Sequence, residues 1–185
     1  MENQASSALE SIVLGGGCFW CTDAVFTRVR GVVSVEAGYA NGHVDHPSYE
    51  QVCTGQTGHV EGVKLVFDPQ VIDLHALLEI FFGTHDPTTL NRQGHDVGTQ
   101  YRSGIYFSSA QQEQVAQQLL RMCEQEQTFG APVVTELQPL RCWWPAEEMH
   151  QNYFARNPYQ GYCAHVIAPK VRKFLDTFAR YAKPG

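Results

Sequence analysis

The sequence predicts an α+β fold in which helices and a sheet stack as a two-layer sandwich. Three features predict it. Short apolar runs at 12–14, 32–40 and 59–67 read as strands. Stretches at 74–83, 109–128 and 171–178 place apolar residues at helical spacing. The links between them are not regular strand–helix–strand units, which argues against a doubly wound sheet.

Residues 1–10 read as a loose tail. Ile12-Val13-Leu14 is a short buried strand, ended by Gly15-Gly16-Gly17. A helix is expected from Cys18 to Val29, with Ala24, Val25 and Val29 on one side and Gly31 just past its end. Val32 to Ala40 is a second strand, closed by Asn41-Gly42, and 42–48 is turn-rich. His59 to Phe67 is the clearest strand, stopped by Asp68-Pro69. Asp73 is the expected N-cap of a helix carrying Leu74, Leu77, Leu78 and Phe81 at i, i+3, i+4, i+7.

Residues 84–102 form a long polar loop, a kind that is usually functional or disordered. Gly104 to Phe107 is a strand, and a helix follows from Ser109 to Thr128 with Val115, Leu119, Met122 and Cys123 as its stripe. Another strand is expected over Pro132–Leu137 and a short helix over Glu147–Ala155. Val171, Phe174, Leu175 and Phe178 mark a last amphipathic helix. No repeat or composition break divides the chain, so 1–185 is read as a single domain, with 156–185 its C-terminal segment and final helix.

The 185 residues, 43% of them hydrophobic, suffice for one sizeable core. A net charge of −6, with no run of Lys or Arg, argues against nucleic acid or an anionic membrane as partner. The polar start lacks a basic region followed by an apolar stretch, so it does not read as a secretory signal. No apolar run approaches the roughly 20 residues that span a bilayer. The expectation is a cytoplasmic monomer. The six cysteines then read as reduced thiols rather than a disulfide framework, with Cys53 and Cys123 as small core hydrophobes.

The chemistry gathers at Gly15-Gly16-Gly17-Cys18-Phe19-Trp20-Cys21, where a strand runs into a helix. Glycines allow a sharp turn and leave the thiol uncrowded. A cysteine at a helix N-terminus faces unpaired N–H groups and the positive end of the dipole, so Cys18 is expected to have a lowered pKa and to be the nucleophile. The Cys18/Cys21 spacing also admits a dithiol–disulfide oxidoreductase. No second such pair is present to complete a zinc site. Along the third strand, Glu61 falls on the same face as Val63, Leu65 and Phe67. A carboxyl aimed at an apolar layer is held neutral and can donate a proton. The alternative is that Glu61 sits at a fraying strand end in water.

Several longer segments carry a resemblance. They are Gly-Gly-Cys-Phe-Trp-Cys at 16–21, Tyr-Glu-Gln-Val-Cys-Thr-Gly at 49–55, Gly-His-Val-Glu at 58–61 and His-Asp-Pro-Thr-Thr at 85–89. Asn-Arg-Gln-Gly-His-Asp-Val-Gly-Thr-Gln-Tyr-Arg-Ser at 91–103, Trp-Pro-Ala-Glu at 144–147, His-Gln-Asn-Tyr at 150–153 and Gly-Tyr-Cys at 161–163 complete them. With these the chain resembles the A-type peptide methionine sulfoxide reductases from about Ile12 to Phe178.

The resemblance implies a central mixed sheet with a ferredoxin-like core, and a C-terminal segment that is largely coil before a terminal helix. It implies reduction of methionine S-sulfoxide, free or in oxidised proteins, with thioredoxin as reductant and no cofactor or metal. Cys18 matches the nucleophile, Glu61 the acid, and Tyr49, Asp96 and Tyr101 the groups that bind the sulfoxide oxygen or its bridging water. Phe19 and Trp20 match the wall that receives the substrate methyl. Cys163 matches the resolving thiol. It is preferred to Cys21, whose side chain on a helix need not face Cys18. No cysteine follows Cys163, so a single disulfide step is expected. The rival readings are the Cys18/Cys21 oxidoreductase and a non-enzymatic protein with inert thiols.

Overall fold

A computed structural model of the chain describes residues 8–184. The expected loose tail therefore lies outside the described residues through position 7, and Glu10 already belongs to a strand. In chain order the elements begin with β1 (Glu10–Gly15), α1 (Phe19–Phe26), β2 (Val32–Ala40), α2 (Tyr49–Cys53), β3 (Val60–Phe67) and α3 (Leu74–Thr84). They continue with β4 (Arg92–Gln93), β5 (Asp96–Val97), β6 (Gly104–Phe107), α4 (Ala110–Glu126), β7 (Glu136–Pro139), β8 (Trp143–Pro145), α5 (Tyr153–Arg156) and α6 (Ala168–Thr177).

Six strands form one sheet in the order β7-β6-β1-β3-β2-β8. All its pairs are antiparallel except β6–β7, so the sheet is mixed. Its centre, β6-β1-β3-β2, is the ferredoxin-like split arrangement: β3 lies antiparallel between β1 and β2, which α1 connects. Alternation decides the layers. Ile12 and Leu14 of β1, with Val63, Leu65 and Phe67 of β3, bury one face under Phe26 of α1 and Leu77 and Phe81 of α3. Val13, Val60 and Tyr106 point the other way, beneath Leu140 and Trp143.

Local chemistry explains the helix starts. The Asp73 carboxylate accepts the Ala76 N–H at 2.8 Å and Ser109 Oγ accepts the Gln112 N–H at 3.2 Å. The one-turn helix α2 ends the turn-rich stretch through a capping box. Ser48 Oγ accepts the Gln51 N–H, and Gln51 Oε1 accepts the Ser48 N–H.

Several expectations are corrected. Met122 is exposed, and the stripe of α4 runs through Gln112, Ala116, Leu119 and Cys123. The strand expected over Pro132–Leu137 lies later, because its pairing with β6 begins at Gly104–Glu136. The helix expected over 147–155 is broken at Asn152, whose φ of 52° is left-handed and whose N–H donates to the Asp23 carboxylate at 2.8 Å. The 84–102 loop contains the β4–β5 ribbon and a 3-10 turn at Thr99–Tyr101. The C-terminal segment is coil only as far as Gln160; from Gly161 it is helical, through a π turn at Cys163–Ile167 and on into α6.

Candidate active site

β1 ends against the start of α1, and Gly17 makes the turn with a φ of 96°. A Cβ there would lie 2.6 Å from Gln93 Cγ, so both backbone and space call for glycine. The turn leaves Cys18 as the N-cap of α1, only 8% exposed. Because β3 pairs with β1 from Glu10–Phe67 to Leu14–Val63, Glu61 falls just beyond the C-terminal end of β1, beside the glycine turn.

Glu61 is 1% exposed. Its Oε1 accepts the Phe19 N–H at 3.3 Å, while Oε2 is buried and has no partner in the protein. Burial pushes its carboxyl up to about 8; the Phe19 N–H works against this, and negative charge on Asp96 and Cys21 reinforces it. The carboxyl is therefore neutral at pH 7, as its place on the strand predicts. Tyr49 and Tyr101 are pushed up by burial first and by the Glu61 charge next, so both remain protonated donors beside it.

The thiols depart from expectation. Cys18 is raised well above an ordinary thiol rather than lowered. Burial is the main cause, followed by the contact with Cys21 and by the Glu61 charge; the Trp20 N–H opposes them and does not prevail. Cys21 moves the other way, lowered first by its contact with Cys18 and then, against burial, by Lys170. The contact between the two thiols is shared: it lowers Cys21 and raises Cys18. The side chain of Cys21 thus faces Cys18, which a place on the helix did not require. Cys163, 0% exposed, joins both in one buried cluster with Ala24, Ile167 and Val171.

Phe19 is fully buried among Tyr39, Tyr49 and His150, so it backs the expected aromatic wall rather than forming its open surface. Trp20 is half-buried and provides that surface. Its ring stacks on Tyr153 at 3.8 Å between centroids, and its Nε1–H donates to His150 Nδ1 at 3.2 Å. Trp20, Tyr49, Glu147, His150 and Tyr153 line a cleft of about 510 Å³. Asp96 Oδ2 accepts the Tyr162 hydroxyl at 2.6 Å, and that hydroxyl lies 3.7 Å from Cys21 Sγ.

Residue-by-residue reading missed Tyr39, Glu147, His150, Tyr153, Tyr162 and Lys170. Four of them stand in the segments quoted above, Glu147 in Trp-Pro-Ala-Glu, His150 and Tyr153 in His-Gln-Asn-Tyr, and Tyr162 in Gly-Tyr-Cys. Tyr39 and Lys170 left no signal of their own. Cys123 is buried as expected, but Cys53 is exposed on α2.

The family model described as peptide methionine sulfoxide reductase matches residues 10–182. The chain belongs to this family. Among its curated relatives, the peptide methionine sulfoxide reductase MsrA of Ralstonia nicotianae is 53% identical, over 93% of this chain and 92% of its own length. That of Saccharolobus solfataricus is 51% identical, over 92% of this chain and 95% of its own. Of solved structures, methionine sulfoxide reductase A of Corynebacterium diphtheriae is similar with a TM-score of 0.80 and 36% identity, covering 87% of this chain and 80% of that one. Reduced Mxr1 from Saccharomyces cerevisiae gives a TM-score of 0.78 and 34% identity, covering 85% and 91%. The family places the neutral carboxyl and the buried thiols in one chemical setting, sulfoxide reduction. No helix among the described residues is long and apolar enough to cross a membrane.

Proposed function

We propose that this reductase acts on methionine S-sulfoxide, free or in oxidised proteins, with Cys18 as nucleophile and Glu61 as proton donor. The observation that carries the proposal is the buried, neutral Glu61 carboxyl, hydrogen-bonded to the residue after Cys18 and holding one oxygen without a protein partner. A sulfoxide oxygen is a poor leaving group until it is protonated, so attack on sulfur needs an acid close by. Tyr49 and Tyr101, kept protonated beside Glu61, are suited to hold that oxygen. Asp96, bonded to Tyr162, positions that hydroxyl near Cys21 and adds to the charge that keeps Glu61 neutral.

Trp20, braced by Tyr153 and His150, takes the substrate methyl. Exchanging methyl and oxygen would press the oxygen onto an aromatic face, so the R epimer is rejected. Methionine leaves and Cys18 becomes a sulfenic acid, which is resolved into a disulfide ending on Cys163. A thioredoxin dithiol, with its low potential, reduces that bridge by exchange. The six free cysteines fit a reducing compartment such as the cytosol. One family match over residues 10–182 supports reading the chain as a single catalytic unit.

The test is a single turnover with each resolved epimer. The S epimer is expected to yield methionine and the R epimer none, and Cys18→Ser is expected to yield none from either. Equal yields from both epimers, or methionine from the Cys18→Ser variant, would overturn the proposal. A plain dithiol oxidoreductase has the contact of Cys18 and Cys21 in its favour, but it leaves the buried neutral Glu61 without a task.

A further inference from the structure

We propose that Cys21, rather than Cys163, captures the oxidised Cys18 first, and that Cys163 takes over the bridge in a second exchange. This rests on the sulfoxide-reductase reading above and adds an intermediate to it.

Three observations carry it. Cys18 is the N-cap of α1 and Cys21 lies one turn on, with its N–H bonded to the Cys18 carbonyl at 3.0 Å. The Cys21 side chain turns back toward Cys18. Cys163 belongs to the same cluster but is held at the start of a π turn, fully buried, with its N–H bonded to Gln160 Oε1 at 3.1 Å. Of the charges acting on the Cys163 thiol, the one that raises it is that of Cys21. Cys21 is thus one turn from Cys18 on the same helix, and Cys163 reaches the same cluster from another element.

Chemistry favours the same order. Lys170 and the Tyr162 hydroxyl favour the Cys21 thiolate whatever the state of Cys18, while burial raises Cys163. In the first step the Cys21 sulfur attacks the sulfenic sulfur of Cys18. The S–O bond breaks, the oxygen leaves as water with the Cys21 proton, and a Cys18–Cys21 disulfide forms. Cys163 then attacks the Cys18 sulfur. Cys21 departs because the thiol of lower pKa is the better leaving group. The product is a Cys18–Cys163 disulfide, and the Cys163 proton ends on Cys21. No oxidant beyond the substrate sulfoxide is consumed. Early capture shields the sulfenic acid from further oxidation, which would be irreversible.

The experiment is one turnover with methionine S-sulfoxide and no reductant, quenched at increasing times. Free thiols are alkylated, sulfenic acid is trapped with dimedone, and bridges are mapped by mass. In the unmodified chain the Cys18–Cys21 bridge is expected to rise and decay before the Cys18–Cys163 bridge reaches its maximum. Per methionine released, Cys163→Ser is expected to stop at the Cys18–Cys21 bridge. Cys21→Ser is expected to show about tenfold more trapped sulfenic acid at early times. Dimedone-labelled Cys18 beside an alkylated Cys21 in the Cys163→Ser chain, or a Cys18–Cys163 bridge with no precursor in the unmodified chain, would overturn the inference and leave the sulfoxide-reductase reading intact. Absence of methionine from the unmodified chain would instead defeat that reading itself.

Discussion

The Glu61 carboxyl accepts the Phe19 N–H at 3.3 Å, which fixes a neutral acid one residue from the Cys18 sulfur. That bond ties β3 to the first turn of α1.

Glu61 gives a prediction in pH. Its carboxyl titrates at about 8 rather than at the ordinary 4.5. Only the neutral form can donate, so methionine release in a single turnover should fall as pH rises through about 8. Glu61→Gln should remove that limb and lower the rate about a hundredfold or more. An unaltered alkaline limb in the variant would show that another group titrates. Stability follows the same sign: a folded pKa raised above the unfolded one gives a contribution fully present below about 4.5 and lost as pH rises through about 8. Denaturant melts of the variant should therefore change less with pH across that window.

The thiol pair gives a second prediction. Ultraviolet thiolate absorbance should show a titration below that of an ordinary cysteine, and it should disappear in Cys21→Ser. If a titration below that of an ordinary cysteine persists in Cys21→Ser, the low value does not belong to Cys21.

Gly17 gives a third. An alanine at a φ of 96° costs roughly 1–2 kcal/mol from backbone strain alone, and its Cβ also meets Gln93. Gly17→Ala should melt earlier and lose activity together, because the same turn aims Cys18. Full activity at normal stability would mean that the turn is not needed.

Tyr153 gives a fourth. Its ring holds the Trp20 face by a stack at 3.8 Å, a pair worth about 1 kcal/mol. Tyr153→Ala should lower kcat/KM about fivefold, while Tyr153→Phe should keep most of it. Loss in the Phe variant would assign the effect to the hydroxyl rather than to the ring.

His85 gives a fifth. Its Nδ1–H is placed to donate to the Phe81 carbonyl and its Nε2 to accept from Ser103 Oγ at 2.7 Å. Burial lowers it to about 4 from an ordinary 6.5. Its neutral form is the folded one, so the stability it supports should be lost as pH falls from about 6.5 through about 4. Urea melts of His85→Gln should show a shallower loss over that range, and an identical slope would remove His85 from the account.

Much of the sheet was legible because a period of two is a local property. The alternation of Val63, Leu65 and Phe67 with Glu61 on one face marked both the core and the carboxyl out of place within it. Helix α3 was legible for the same kind of reason, since Asp73 and the Leu77/Leu78/Phe81 stripe carry their signal within a few turns. The breaks near 152 and 163 were not legible. The left-handed Asn152 is held by Asp23 on α1, and the π turn at Cys163 packs against that same helix, both of them contacts made across the chain.

The sequence by itself determined the family motifs, the strand faces and the glycine turn before Cys18, because these depend on neighbours within a few residues. Only the tertiary structure decided that Glu61 is buried rather than wet, that Cys21 meets Cys18, where Asp96 and Tyr162 meet, and that Trp20 leans on Tyr153. Burial and Coulomb terms depend on what lies within a few ångströms in space, and helices that meet only after folding supply those neighbours.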